Sequence, residues 1–421
     1  MHLLKLQTKA QPLLLLLAIL LMPARAATPL MQPEVSQNKE ADSITFSLIT
    51  CGQGDEIYSL FGHTAIRYQN PALQIDAVFN YGVFDFDTPN FALRFALGET
   101  DYLLGINDFR RFCALYAMME RSVSEQVLNL TSEEKLRLLN LLEENYRPEN
   151  RTYRYNFFYD NCATRPRNLI EKAISSGTIH YAERMEEPMD SISFRTLLHR
   201  YSTHALWSRL GMDLCMGSKA DRPITQREME FVPFCLRDDL RQATIKAPDG
   251  SQRPLVIKEI PWNSLPEIRS TEGNFIAPSA AALTLLIAVI VWTLAGTIMR
   301  RQTLWVLDLI LLASAGSAGC ILAFLALFSQ HPCVDSNWML LALHPLHLFC
   351  LPCAIRRVRK GLLSRYQVVN LGGLTLFIIV YCLKIQIIPL TAVYLALCLL
   401  TRALANLWLS HQRRPHPARS N

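Results

Sequence analysis

The sequence lacks a basic stripe and any nucleic-acid-binding motif, although its formal net charge is +6. Much of the basic excess lies in short clusters beside apolar runs, where it sets topology, so a nucleic-acid partner is excluded. The chain ahead of those runs has no CxxC pair and no His/Cys/Asp cluster at ligand spacing, which excludes a metal centre. Cys350 and Cys353 do have that spacing, but they lie inside an apolar segment, where cysteine packs as a small hydrophobe. No cysteine follows the leader described next, so the chain is not itself a lipoprotein.

Hydrophobic residues make up 50% of the 421. That average covers a mixed, charged first part and a very apolar last third. The N-terminus reads as a signal peptide, residues 1–26: a weakly basic start at Lys5 and Lys9, an apolar core at Leu13 to Leu21, and a small-residue cleavage site ending at Ala26. Five apolar runs follow Pro278, at 278–298, 304–328, 338–355, 367–384 and 388–409. Each approaches the roughly 20 residues that a spanning helix needs. Arginine and lysine cluster after the first, third and fifth runs, at Arg300, Arg301, Arg356, Arg357, Arg359, Lys360, Arg365, Arg413, Arg414 and Arg419. The loops after the second and fourth carry only Lys384. The positive-inside rule puts the odd helix ends and the C-terminus in the cytoplasm, and so puts the N-terminal domain outside. A signal peptide gives the same answer independently. The chain is thus expected to be a multi-pass inner-membrane protein. Its parts are an extracytoplasmic domain (27–240), a linker (241–275) with one strand near 255–260, a helical membrane domain (276–410) and a short tail (411–421).

The outer domain reads as α+β. Residues 43–50, Thr64–Tyr68 and Ile75–Tyr81 alternate like strands, and Gln69-Asn70-Pro71 supplies a turn that makes the last two a hairpin. Thr131 with Glu134 forms a capping box, and Leu136, Leu139, Leu142 and Tyr146 then recur at helical spacing until Pro148. A second helix is expected from near Cys162 through Ile174.

Two stretches carry chemistry. His63 follows a glycine at the mouth of a strand, and Cys162 stands where a loop enters a helix. A helix start offers free N–H groups and partial positive charge, which lower a thiol's pKa and hold an oxyanion. An imidazole nearby serves as base and then acid. His63 and Cys162 therefore read as a base–nucleophile pair, with Asp76 or Asn80 as the group that orients the imidazole. Cys51 is a rival nucleophile, and His180, His199 and His204 are rival bases without a supporting context. Cys51, Cys113, Cys162, Cys215 and Cys235 make five in the outer domain, an odd count that leaves at least one unpaired if the rest form disulfides. After the second membrane run, Ser329 to Asn337 form an outer loop in which His331 and Asn337 are candidate site residues at the membrane face.

The segments Phe61-Gly62-His63-Thr64-Ala65-Ile66-Arg67, Val78-Phe79-Asn80-Tyr81-Gly82-Val83-Phe84-Asp85-Phe86 and Asp160-Asn161-Cys162-Ala163-Thr164-Arg165 resemble the Lnb family of Bacteroidota lipoprotein N-acyltransferases. So do Trp207, Gly211-Met212-Asp213-Leu214 and Asp221-Arg222-Pro223-Ile224-Thr225. The order of His and Cys is also similar to permuted papain-like (NlpC/P60-type) thiol enzymes, including the lecithin–retinol acyltransferase group. The resemblance implies a permuted papain-like domain followed by an all-α bundle of about five transmembrane helices. It implies a fatty acyl chain moved from a membrane phospholipid, through a thioester on Cys162, to the α-amine of a diacylglyceryl-cysteine lipoprotein, with no cofactor. Arg67 and Arg165 would hold a phosphate, and His331 and Asn337 would line substrate entry. A membrane-tethered cysteine peptidase or peptidoglycan amidase is the alternative, and a receptor with Cys162 in a disulfide the third.

Overall fold

The computed structural model describes residues 43–83, 89–184, 192–268 and 276–413. The signal peptide, Phe84 to Phe86 and the tail beyond Arg413 lie outside the described residues. The N-terminal part is built on a seven-stranded antiparallel sheet in the order β10-β5-β1-β2-β3-β4-β6. Its strands are β1 (Thr45–Cys51), β2 (His63–Asn70), β3 (Ile75–Val83), β4 (Asp101–Asp108), β5 (Val123–Leu128), β6 (Thr152–Arg154) and β10 (Val256–Pro261). β2 and β3 form the expected hairpin. Asn70 shapes its turn, its side-chain Oδ1 accepting from the N–H groups of Ala72 and Leu73. A small second sheet joins β7 (Thr178–His180), β8 (Thr244–Lys246) and β9 (Gln252–Pro254). The stretch read as a linker with one strand therefore contributes three, and β10 closes one edge of the main sheet against β5.

Seven helices longer than one turn belong to this part among the described residues: α1 (Phe91–Leu97), α2 (Phe109–Met118), α3 (Ser132–Tyr146), α4 (Thr164–Ala173), α5 (Phe194–Tyr201), α6 (Leu206–Cys215) and α7 (Pro233–Gln242). α3 opens on the capping box of Thr131 and Glu134. It ends where Arg147 turns extended ahead of Pro148. α2 lays Phe109, Phe112 and Tyr116 on the sheet face formed by Ile49, Cys51, Ala65, Val78 and Val123.

The apolar third forms helices, as the cost of unpaired backbone groups in a bilayer requires. Four are long and apolar enough to span: α8 (Pro278–Trp292, continued as a wider turn to Met299), α9 (Trp305–Phe328), α11 (Arg365–Cys382) and α12 (Leu390–Gln412). The third apolar run is not one straight helix. It is a bent pair, Trp338–Phe349 followed by α10 (Leu351–Arg359), with 79° between the parts, which makes a fifth span if counted as one. Pro345 and Pro352 flank the break, and each lacks the N–H that would continue the helical ladder. Within the bundle Arg402 is buried and forked onto Asp308 at 2.8 and 3.0 Å, with Thr293, Thr297 and Asn406 completing the network.

The loop 329–337 docks on the sheet domain. Gln330 N–H donates to Leu97 O at 2.8 Å, and Gly217 N–H donates to Cys333 O at 2.7 Å. A Cβ on Gly217 would lie 2.0 Å from Asp335 O, so only glycine permits this approach.

Candidate active site

The sheet and the start of α4 bring His63, Asn80 and Cys162 to one place. His63 is the first residue of β2, paired in register with Cys51 of β1. Its Nε2 meets Asn80 Oδ1 of β3 at 2.6 Å. With Nε2 donating there, Nδ1 keeps the lone pair that a base needs. β3 then bulges: its register against β4 shifts between Asn80 and Val83, and Gly82 takes φ +90°. A Cβ on Gly82 would lie 3.7 Å from Cys162 Cβ, 3.9 Å from Tyr155 Cε2 and 4.0 Å from His63 Cε1. Three side chains thus converge over one glycine.

The loop before α4 is set by side chains that replace missing backbone partners. Asn156 Oδ1 accepts from the N–H groups of Phe158 and Tyr159. Asn161, buried, accepts on Oδ1 from Ala163 N–H and Thr164 N–H, both at 2.9 Å, and donates to the carbonyls of Phe157 and Phe231. The first N–H groups of the helix are therefore used by Asn161. The donors left at the sulfur are Cys162 N–H, Thr64 N–H and the Tyr155 hydroxyl.

That changes the electrostatic reading of the sequence. Burial pushes the Cys162 thiol up to about 11, against the downward pull of those three donors and of Arg121. Burial lowers the His63 imidazole to about 4; the Asn80 hydrogen bond works upward, and the Arg121 charge lowers it further. The thiol is not the acidic one expected at a helix start, because desolvation outweighs the helix-end effect. At neutral pH the pair is thiol and neutral imidazole, not a standing ion pair.

Of the two groups left open for the third member, Asn80 meets the imidazole. Asp76 is turned to Arg67, which donates from Nε and Nη2 to its two carboxylate oxygens at 2.8 and 2.7 Å. Arg67 also forks onto Glu125 at 3.0 and 2.9 Å and stacks 3.6 Å from the Phe109 ring centroid. It is fully engaged inside the domain. Arg165 clamps Asp160 with two bonds of 2.7 Å and lies over the Tyr153 ring, so it braces the loop that carries Cys162. Asn337 donates to Leu214 O at 2.7 Å and caps Met339 N–H, joining the membrane loop to the end of α6.

His331 bonds Phe95 O at 2.6 Å and lines a cavity of about 600 Å³ with Tyr159, Lys219, Arg222 and residues 332–335. Lys219 pairs with Asp335, and Arg222 pairs with Glu228. The cavity lies at the seam between the sheet domain and the membrane loop, and Tyr159 on its wall is three residues from Cys162.

Sequence reasoning missed Tyr155 and Tyr116. Tyr155 bonds the thiol and stacks on Tyr102 at 4.2 Å, and Tyr116 stacks on His63 at 6.4 Å and shares a hydrogen bond with Cys51. The crowding of Tyr153, Tyr155, Phe157, Phe158 and Tyr159 just before Cys162 was the available signal for the first. Cys51 stands beside the site, its thiol pushed up to about 12 by burial. None of the eleven cysteines forms a disulfide, so the odd count carries no pairing argument. No group of three or more His, Cys, Asp and Glu suited to a metal occurs among the described residues.

Fold and helices together define a multi-pass membrane protein with a sheet-rich α+β N-terminal domain. The Lnb N-terminal periplasmic domain matches residues 31–200, and the Lnb transmembrane domain, a five-helix unit, matches residues 270–414. The chain belongs to the Lnb family. Comparison with curated proteins and with solved structures gives no significant match.

Proposed function

We propose that this protein is a lipoprotein N-acyltransferase that works at the periplasmic face of the inner membrane, with Cys162 as nucleophile, His63 as base and Asn80 as the group orienting the imidazole. The observation that carries the reading is the convergence of Cys162, Tyr155 and the Asn80-held His63 over Gly82, in a domain docked on a membrane bundle. Family membership supports an enzyme of lipoprotein N-acylation.

The chemistry runs in two halves. His63 Nδ1 takes the proton from Cys162 Sγ as the sulfur attacks an acyl ester carbonyl of a membrane phospholipid. The carbonyl π pair moves to oxygen, beside the Tyr155 hydroxyl and the N–H groups of Cys162 and Thr64. Collapse breaks the C–O bond to glycerol, the imidazolium returns the proton to the departing oxygen, and a lysophospholipid leaves a thioester behind. The α-amine of a diacylglyceryl-cysteine then attacks that carbonyl and gives its proton to His63. The C–S bond breaks, the sulfur is reprotonated, and the product is an amide. Burial of the thiol favours this outcome over hydrolysis by limiting water at the thioester.

The seam cavity fits the donor's head group better than Arg67 or Arg165 do, because Lys219 and Arg222 are surface cations whose exposed pairs exchange cheaply for a phosphate. The test is acyl transfer by the full-length protein, supplied with phospholipid and a diacylglyceryl lipopeptide. Cys162→Ala and His63→Ala should fold and give no N-acylated product. Retention of activity in Cys162→Ala rejects the nucleophile, and release of peptidoglycan fragments instead of lipid products favours an amidase.

A further inference from the structure

Arg121, between α2 and β5, is buried, with 6% of its surface exposed. Its Nε donates to Gly52 O at 2.8 Å, and its guanidinium lies 4.7 Å from the Tyr116 ring centroid. No carboxylate pairs with it among the described residues, and its Nη2 is buried without a hydrogen-bond partner. The other buried arginines differ: Arg67 holds Asp76 and Glu125, Arg167 holds Glu230, Arg195 holds Asp213 and Asp221, Arg237 holds Asp238 and Glu267, and Arg402 holds Asp308. A guanidinium cannot shed its charge, so a buried one without a counter-ion is costly and calls for an explanation.

Its surroundings supply one. The Tyr116 ring under Arg121 stacks on His63, and Cys51 is opposite His63 in the sheet. Cys162 and the same imidazole meet over Gly82. The titratable groups that feel the cation are Cys51 from β1, His63 from β2, Tyr116 from α2, Cys162 from the loop before α4, and Tyr58 from the loop 52–59, which packs Gly54 against the Arg121 side chain and also carries Asp55 and Glu56. None of the thiols, the tyrosines or the imidazole is an anion at rest, and neither carboxylate forms an ion pair with Arg121.

We propose that Arg121 is the standing positive charge of the site, a positioning residue whose missing counter-ion is the negative charge that forms at the Cys162 sulfur during attack. This rests on the reading of Cys162 as nucleophile. The charge acts through the buried medium around the imidazole, where screening is weak. It also explains how a deeply buried thiol stays usable: desolvation raises its pKa, and the fixed cation offsets part of that rise. The charge is assigned to Cys162 because Cys162 is the thiol that meets His63 over Gly82.

The experiment is the pH dependence of iodoacetamide alkylation at Cys162 in the full-length protein in detergent micelles. Cys162 and Cys51 are scored separately by mass spectrometry after digestion. In Arg121→Met the alkylation midpoint of Cys162 should rise by about one pH unit, so that at about pH 9 the rate falls roughly tenfold. Arg121→Gln keeps a donor for the Gly52 carbonyl but no charge and should shift the same way; Arg121→Lys should stay near wild type. A collapsed site would expose the thiol and lower the midpoint, the opposite sign. An unchanged or lowered midpoint in both neutral variants overturns the proposal. So does an unchanged midpoint combined with a raised half-saturating phospholipid concentration, which would make Arg121 a lipid-phosphate ligand. No acyl transfer enters the alkylation readout, so failure of the acyltransferase reading leaves a separate signature.

Discussion

His63 and Asn80 face each other across the β2–β3 hairpin with 2.6 Å between Nε2 and Oδ1, and Asp76, four residues before Asn80 on the same strand, is taken by Arg67. The two polar residues of β3 therefore make opposite predictions. Asn80→Ala should lower the turnover of acyl transfer about a hundredfold by releasing the imidazole, with little change in thermal stability. Asp76→Ala should leave turnover near wild type and cost about 2 kcal/mol of stability by removing charged hydrogen bonds from Arg67. Parallel assays of turnover and thermal unfolding separate the two.

The lowered imidazole sets the acid side of the pH profile. His63 stays neutral down to about 4, so the acid limb of acyl transfer should lie near 4 and not near 6.5. Between about 6.5 and 4 the unfolded chain binds a proton that the folded site refuses, so His63 makes stability fall as pH falls through that window. Cys162 acts at the other end. Its folded thiol holds a proton up to about 11, and stability should fall as pH rises from about 9. Urea or thermal unfolding across pH measures both slopes.

Arg402 and Asp308 are both buried in the bundle and joined by two bonds. Arg402→Met leaves Asp308 uncompensated and should cost about 3–5 kcal/mol. Adding Asp308→Leu should recover much of the loss, because it removes the orphaned charge. Thermal unfolding in detergent is the readout.

The seam between the domain and the membrane loop is tightest at Gly217, where a Cβ would meet Asp335 O at 2.0 Å. Gly217→Ala should push the loop 329–337 away and weaken transfer from membrane phospholipid. Alkylation of Cys162 by a small water-soluble reagent should change little. Equal loss in both assays would mean that the substitution disturbs the active site itself.

Much of this was legible in the chain. The β2–β3 hairpin, the Thr131 capping box and the apolar runs are local patterns, and local patterns survive folding. Asn80 and Asp76 share a face of β3, so period-two reading could not choose between them; the choice depends on where Arg67 reaches. The Cys162 thiol is not the acidic one that a helix start suggests, because Asn161 takes the first N–H groups of α4 and burial then dominates, and neither is visible in spacing. The third apolar run reads as a span by composition, yet Pro345 and Pro352 bend it. Arg121 escaped notice because nothing local marks it; its meaning lies in a partner that is absent.

In the proposed mechanism Cys162 carries the acyl chain. Its most direct test is mass spectrometry of the intact protein purified from its membrane, followed by digestion, with and without added phospholipid. The expected result is a hydroxylamine-sensitive fatty-acyl adduct on Cys162 that disappears when a diacylglyceryl lipopeptide is supplied. An unmodified Cys162 after incubation with phospholipid, or an adduct on Cys51 instead, would contradict it.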